Sequence, residues 1–283
     1  MKKLIIFIPI IYLLISSCTE IIELDLNSDD NIRLVVEGTL TNEIKIHQVK
    51  LTRTSDYFVN QPASPELGAL ITISNEDTLF NLIDIDNDGL YKTDKALAGV
   101  AGKSYLLNIQ LSNGEIYTSE SYMKPISPMD SIKYEYRKSD NPFDEDLYYL
   151  INVFVQEPPS IGDFYQWELY IDGIHESDTL RKKSFVSDEF INGSYVANAP
   201  IYQIDESKIV NDTTVIKLQM LSISKEEYDF KIAILLETDF SGAGFSGPPA
   251  NIPSNVSNGA LGFFSASAVT EDSLLIFKGQ NVD

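Results

Sequence analysis

From residue 32 onward the chain is built of short segments in which apolar and polar residues alternate, and this pattern restricts the fold more than any other feature. Alternation at every position puts one face of a pleated strand in a core and the other in water, whereas a helix needs apolar residues three and four apart. Residues 33–38 and 44–51 read this way, the second with period two, as do 69–74, 78–83, 105–111 and 115–122. Turn-forming residues divide them: Asn75-Glu76-Asp77, Asp86-Asn87-Asp88-Gly89 and Asn113-Gly114. The last predicts a two-residue hairpin turn, because Asn-Gly tolerates positive φ. Short strands at this spacing predict an immunoglobulin-like β-sandwich over residues 32–124.

Lys124-Pro125-Ile126-Ser127-Pro128-Met129 marks a boundary, since two prolines interrupt strand pairing. Residues 125–283 then predict a second, mainly-β domain. Its strand segments, 131–136, 147–155, 164–171, 215–222, 260–268 and 274–277, include runs rich in Tyr, Ile, Val and Phe. One stretch departs from the pattern. Ser224-Lys225-Glu226-Glu227 is a capping box, and a helix is expected over about 224–237, packed on the second domain.

The start of the chain has a different grammar. Lys2 and Lys3 precede an apolar run over 4–15, then Ser16-Ser17 and Cys18. That run is short for a bilayer core of about 30 Å, and charge, apolar run and small residues in this order predict an export signal over 1–17. The only cysteine of the chain sits at the cut, in a context that resembles a lipobox, so Cys18 is expected to carry lipid. Acyl chains would then hold the protein to the membrane, each buried methylene contributing roughly 0.8 kcal/mol. Residues 18–31 are acidic and are expected to form a tether. With Cys18 lipidated, no thiol remains for a disulfide, a nucleophile or a metal. The balance of 42 acidic against 21 basic residues argues against nucleic acid, whose phosphates would be repelled.

Motifs that suggest chemistry are few. Asp84, Asp86 and Asp88, with Gly89, open like a calcium loop, but Lys95 stands where an EF-hand needs a bidentate Glu, leaving at most a looser calcium site on a turn. Gly242, Gly244 and Gly247 spell GxGxxG after a helix and before Pro248-Pro249, the wrong context for a dinucleotide. His47 and His175, the only histidines, are expected at the surface; no spacing pairs them for zinc or a triad. No cofactor is expected, and no catalytic residue stands out. Asp followed by Ser or Thr recurs before Leu79, Ile132, Leu180, Thr214 and Leu274. That pattern resembles the O-glycosylation sequon of exported Bacteroidota proteins, making Thr78, Ser131, Thr179, Thr213 and Ser273 candidate modification sites. The aromatic and Gly-Pro stretch 240–264 is a candidate contact loop through Phe240, Phe245, Pro248, Pro249, Asn251 and Asn255, because aromatics supply binding area and long loops often carry function.

Two segments carry a family resemblance. The first is Leu34-Val35-Val36-Glu37-Gly38 followed by Val49-Lys50-Leu51-Thr52-Arg53-Thr54-Ser55-Asp56-Tyr57-Phe58. The second is Pro248-Pro249-Ala250-Asn251-Ile252-Pro253-Ser254-Asn255-Val256 with Asn258-Gly259-Ala260-Leu261-Gly262-Phe263-Phe264. Together they resemble the Bacteroidota outer-membrane lipoprotein family known as domain of unknown function 4249. The resemblance implies no catalytic residue. It implies a lipid-anchored protein of the outer membrane, at its periplasmic or extracellular face with the surface favoured, associated with a TonB-dependent transporter. The expectation is therefore a non-enzymatic binding or accessory lipoprotein that captures a ligand or caps a transporter. The alternatives are a structural or assembly lipoprotein of the envelope without a small ligand and, behind it, a carbohydrate-active enzyme.

Overall fold

The computed structural model describes residues 32–55, 62–139, 146–240 and 252–281. The expected signal 1–17, Cys18 and the tether lie outside them. Arg33–Thr54 and Ala63–Asp283 form one compact unit. The chain is mainly β, with a single α-helix among the described residues.

The first lobe contains β1 (Leu34–Thr41), β2 (Gln48–Arg53), β3 (Ser64–Pro65), β4 (Leu70–Ser74), β5 (Leu79–Ile83), β6 (Leu90–Thr93), β7 (Ser104–Gln110) and β8 (Ile116–Tyr122). The second contains β9 (Met129–Lys138), β10 (Leu147–Gln156), β11 (Phe164–Ile171), β12 (Ile174–His175), β13 (Ser184–Ser187), β14 (Tyr195–Asp205), β15 (Thr213–Ile223), the helix α1 (Lys225–Phe240) and, after β16 (Leu261–Ser267), β17 (Val269–Phe277). β16 does not stay with the second lobe. It pairs in parallel with β1, so the first sheet runs β16-β1-β2-β6-β5-β4-β7-β8, with β3 on β2. The segment expected to belong to residues 125–283 therefore completes the sheet of residues 32–124.

That sheet curls until its ends meet. Ala266 N donates to Ser121 Oγ (2.9 Å) and Ser257 N to Thr118 O (2.9 Å), bringing β16 and the chain before it against β8. Inside lie Val36, Leu51, Ile73, Leu107, Ile109 and Phe264, all 2 % exposed or less. In the second lobe the sheet β14-β10-β9 and the sheet β12-β11-β15-β17, with β13 on β11, enclose a separate core around Tyr149, Ile151, Trp167 and Leu218. Side chains bridge the seam between β9 and β17: Ile132 N donates to Asp272 Oδ2 (3.1 Å) and Phe277 N to the Tyr134 hydroxyl (3.2 Å).

Several local expectations change. The strand expected over 44–51 begins only at Gln48. Ile44 and Ile46 are exposed while Val49 and Leu51 are buried, so the apolar phase flips near His47 and one continuous strand could not serve both halves. The Asn113-Gly114 turn is a three-residue loop, with Leu111 N on Glu115 O and Gly114 alone at positive φ (+89°). β14 was not foreseen. Its Pro200 is tolerated because β14 is an edge strand, and register shifts near Asn152 and Val153 accommodate the irregularity.

Candidate functional site

A cleft lies between the outer face of the first sheet and α1. Val36, Gly38 and Leu40 point into the core, so strand alternation turns Val35, Glu37 and Thr39 outward. Register aligns their neighbours into rows. Thr39 lies between Ser265 of β16 and Gln48 of β2, Glu37 between Phe263 and Lys50, and Val35 beside Leu261. One end of this floor is thus apolar and the other polar. The facing wall is helical: Phe230, Lys231 and Ile234, with Leu180 and Ile252 at the margins, enclose about 940 Å³. The Phe230 and Phe263 rings meet at 5.2 Å between centroids, where wall and floor touch.

The helix is placed by a few polar contacts. Ser224 Oγ accepts Glu227 N (3.1 Å), one half of the expected capping box. The other half is missing: the Glu227 carboxylate turns instead to Lys231, one turn along. Lys231 Nζ also donates to Gln166 Oε1 (2.5 Å), and Arg181 Nη2 to Thr238 O (2.9 Å). Ile232-Ala233-Ile234-Leu235-Leu236 makes one side of the helix no more apolar than the other, a pattern that ordinarily belongs to a helix covered all round. None of these five is buried, and Leu236 is 54 % exposed.

A polar network runs behind the helix. Glu168 is held by Lys183 (2.5 Å), Gln166 (2.6 Å) and His175 (3.2 Å). Burial raises the Glu168 pKa, but Lys183 and the other cations outweigh it and leave the carboxyl below its usual range. His175, shifted down by desolvation against the pull of Glu168, stacks on Tyr170 at 4.6 Å. Ser177 Oγ reaches the same histidine (3.2 Å), but both Ser177 and Glu168 meet Nε2. A relay needs one on each ring nitrogen, so Ser177, His175 and Glu168 do not form one.

A second grouping was not foreseen from sequence. Glu157, Asp163 and Asp188, from three separate stretches of chain, have carboxylate oxygens within 4.8 Å of one another, and all three residues are buried. Lys124 pairs with Asp163, Ser160 Oγ donates to Asp163 (2.8 Å), Gly162 N to Asp188 (2.9 Å) and the Tyr165 hydroxyl to Glu157 (2.8 Å). Desolvation, joined by the charges of Asp163 and Asp188, raises the Glu157 pKa. The oxygens are of the type that binds calcium, yet each carboxylate already holds a protein donor.

The residues singled out from sequence fall elsewhere. Asp84 accepts Gly89 N (3.0 Å), Asp88 accepts Leu90 N (2.9 Å) and Asp86 pairs with Lys92 (3.2 Å), so the three shape the β5–β6 turn. Thr78, Thr179, Thr213 and Ser273 are exposed and Ser131 is half-buried, all at scattered positions. Of the contact loop, Phe245, Pro248, Pro249, Asn251 and the Phe240 side chain lie outside the described residues. Asn255 is structural: its amide and carbonyl pair with Phe264 O (2.7 Å) and N (3.0 Å). His47, expected at the surface, is 1 % exposed, with Nε2 at 2.9 Å from Leu97 O. Burial lowers its pKa and favours the neutral ring.

Two β lobes sharing a returning strand, with a cleft under one helix, define a two-lobed mainly-β protein. The chain belongs to the family described as Domain of unknown function (DUF4249), whose model matches residues 19–273. No curated protein matches it. Among solved structures it is similar to the fibronectin(III)-like modules of CbhA from Clostridium thermocellum, at 17 % identity over 86 % of this chain and 90 % of that one, with a TM-score of 0.24.

Proposed function

We propose that this chain is a lipid-anchored, non-enzymatic binding lipoprotein of the outer membrane, surface-exposed, which captures a ligand as an accessory to a TonB-dependent transporter. The observation that carries the binding role is the cleft under α1. Its volume of about 940 Å³ falls within the range of small-molecule sites, roughly 300–1,000 Å³. Its apolar end and hydrogen-bonding end can orient what they hold. The support for the anchor is the Leu4-to-Cys18 pattern, in which the sole cysteine follows a short apolar run and two serines. The transporter association comes from the sequence resemblance. Affinity purification of the native protein from outer membranes tests it. Stoichiometric recovery of a transporter barrel is the expected result; recovery of the chain alone, or with other envelope proteins only, would overturn the accessory role in favour of an assembly one.

A further inference from the structure

We propose that the cleft between α1 and the β16-β1-β2 face binds a free amphiphilic anion, an apolar body ending in one carboxylate. This deepens the binding role proposed above and rests on that reading of the cleft. The apolar end is formed by Val35, Leu261 and Phe263 on the floor and by Phe230, Ile234 and Ile252 opposite. Such a surface gains by covering hydrocarbon and discriminates little in its shape.

The polar end supplies the choice of head group. Ser265, Thr39 and Gln48 lie side by side across three strands, and among the described residues no hydrogen bond engages any of their side chains. Ser265 is only 3 % exposed yet lines the cleft. One row away stands Lys50, whose only ion contact is Glu37 at 3.8 Å, too long for a hydrogen bond, with both side chains more than half exposed. The other two lysines of the lining are engaged, Lys231 by Glu227 and Lys45 by Glu43 (2.6 Å). Two hydroxyls, an amide and one loosely held ammonium form a set of donors suited to a carboxylate. The lining holds three lysines to two glutamates, whereas the whole chain has 21 basic to 42 acidic residues. A carboxylate arriving at Lys50 displaces Glu37 into water, where that side chain is already 63 % exposed.

Isothermal titration of the full chain carrying Cys18→Ser tests this, with dodecanoate, 1-dodecanol and dodecyltrimethylammonium as probes below their micellar concentrations. Dodecanoate is expected to bind at one equivalent, at least tenfold tighter than either of the others. Lys50→Glu should weaken dodecanoate tenfold or more while lowering the thermal midpoint only slightly, through cross-strand repulsion from Glu37, and Ile234→Gln should weaken dodecanoate and dodecanol alike. Equal affinity for the alcohol or the ammonium, or dodecanoate binding untouched by Lys50→Glu, would overturn the proposal. So would absence of dodecanoate binding, including the case in which the chain sediments only with phosphatidylglycerol vesicles. Transporter recovery is a separate readout: dodecanoate binding without a transporter leaves the ligand class standing and removes the accessory role, and the converse result does the reverse.

Discussion

Gly262 lies opposite Val36 across the parallel β1–β16 pair, so close that a Cβ on Gly262 would stand 2.0 Å from Val36 O. Its φ of +93° is also one that side-chain-bearing residues rarely adopt. Two residues along the pair, Gly38 faces Phe264, and a Cβ there would come within 3.0 Å of Val49 Cγ2. Gly262→Ala therefore meets backbone that cannot yield. It is expected to cost on the order of 4 kcal/mol, the level of exceptional single substitutions. Gly38→Ala meets a side chain and should cost about 1–3 kcal/mol. Urea midpoints measure both; a Gly262→Ala variant as stable as wild type would mean that β16 does not pair with β1 as described.

This pair also bears on what the sequence could disclose. Leu34–Gly38 and Asn258–Phe264 belong to the two segments that carry the family resemblance, more than two hundred residues apart, and each looks like an ordinary strand or loop by itself. Alternation made β1, β4, β7 and β8 legible because one face of each meets a core, and β10 and β11 were legible from their Tyr, Ile, Val and Phe content. It could not say that Leu261–Ser267 leaves its neighbours to pair with β1, since pairing partners leave no local periodicity. Of the cleft, α1 and the floor strands were foreseen as separate elements, but not their meeting. Its floor is the outward face of strands, where polar residues read as solvated surface, and only register brings Ser265, Thr39 and Gln48 together. The cluster of Glu157, Asp163 and Asp188 was hidden among 42 acidic residues for the same reason.

That cluster makes stability depend on pH. The folded pKa of Glu157 is raised by desolvation and then by its two acidic neighbours. A raised carboxyl contributes its full stability below the unfolded value, near 4.5, and loses it as pH climbs through the folded value. Glu157→Gln mimics the protonated form and can still accept from Tyr165. Melting curves should coincide at pH 4 and separate above it, with the variant higher at pH 7.5; each kcal/mol corresponds to roughly 2–4 °C in a chain of this size. A variant that melts lower at pH 7.5 would show that the ionised carboxylate is favoured in the fold.

Glu168 behaves in the opposite sense. Burial alone would raise its pKa, but Lys183 leads the contacts that hold it below the usual value. Its contribution is present above the unfolded pKa and disappears as pH falls through the lowered one. Lys183→Met removes the partner at 2.5 Å while His175 and Gln166 remain. The expected loss is up to about 3 kcal/mol at pH 7, the lower bound for breaking a buried pair. The loss should shrink toward acid pH in chemical denaturation, and a loss constant from pH 3 to 8 would assign it to packing.

The hydroxyls that follow aspartate differ in access. Thr78, Thr179, Thr213 and Ser273 are exposed, whereas Ser131 is half-buried on β9. If the motif directs O-glycosylation, intact mass of native protein should show one to four glycans beyond the lipid, and peptide mapping should leave Ser131 unmodified. A mass equal to chain plus lipid would remove the modification altogether.

Cys18 remains the position where residue type most directly implies chemistry, since the chain holds no other thiol. Cys18→Ser cannot accept the thioether-linked lipid, and the described unit, Arg33–Thr54 with Ala63–Asp283, builds both of its cores from residues beyond it. The substitution is therefore expected to leave the thermal midpoint within about 0.5 kcal/mol of wild type, as for changes remote from packed structure, while moving the protein from the membrane to the soluble fraction. Two acyl chains or more are needed for stable anchoring, so partial loss of membrane association would indicate a second hold, such as a transporter. Unchanged fractionation of the variant with the outer membrane, together with no lipid mass on the mature wild-type chain, would mean that Cys18 is not the anchor and that the cleft-bearing unit is retained by its own contacts.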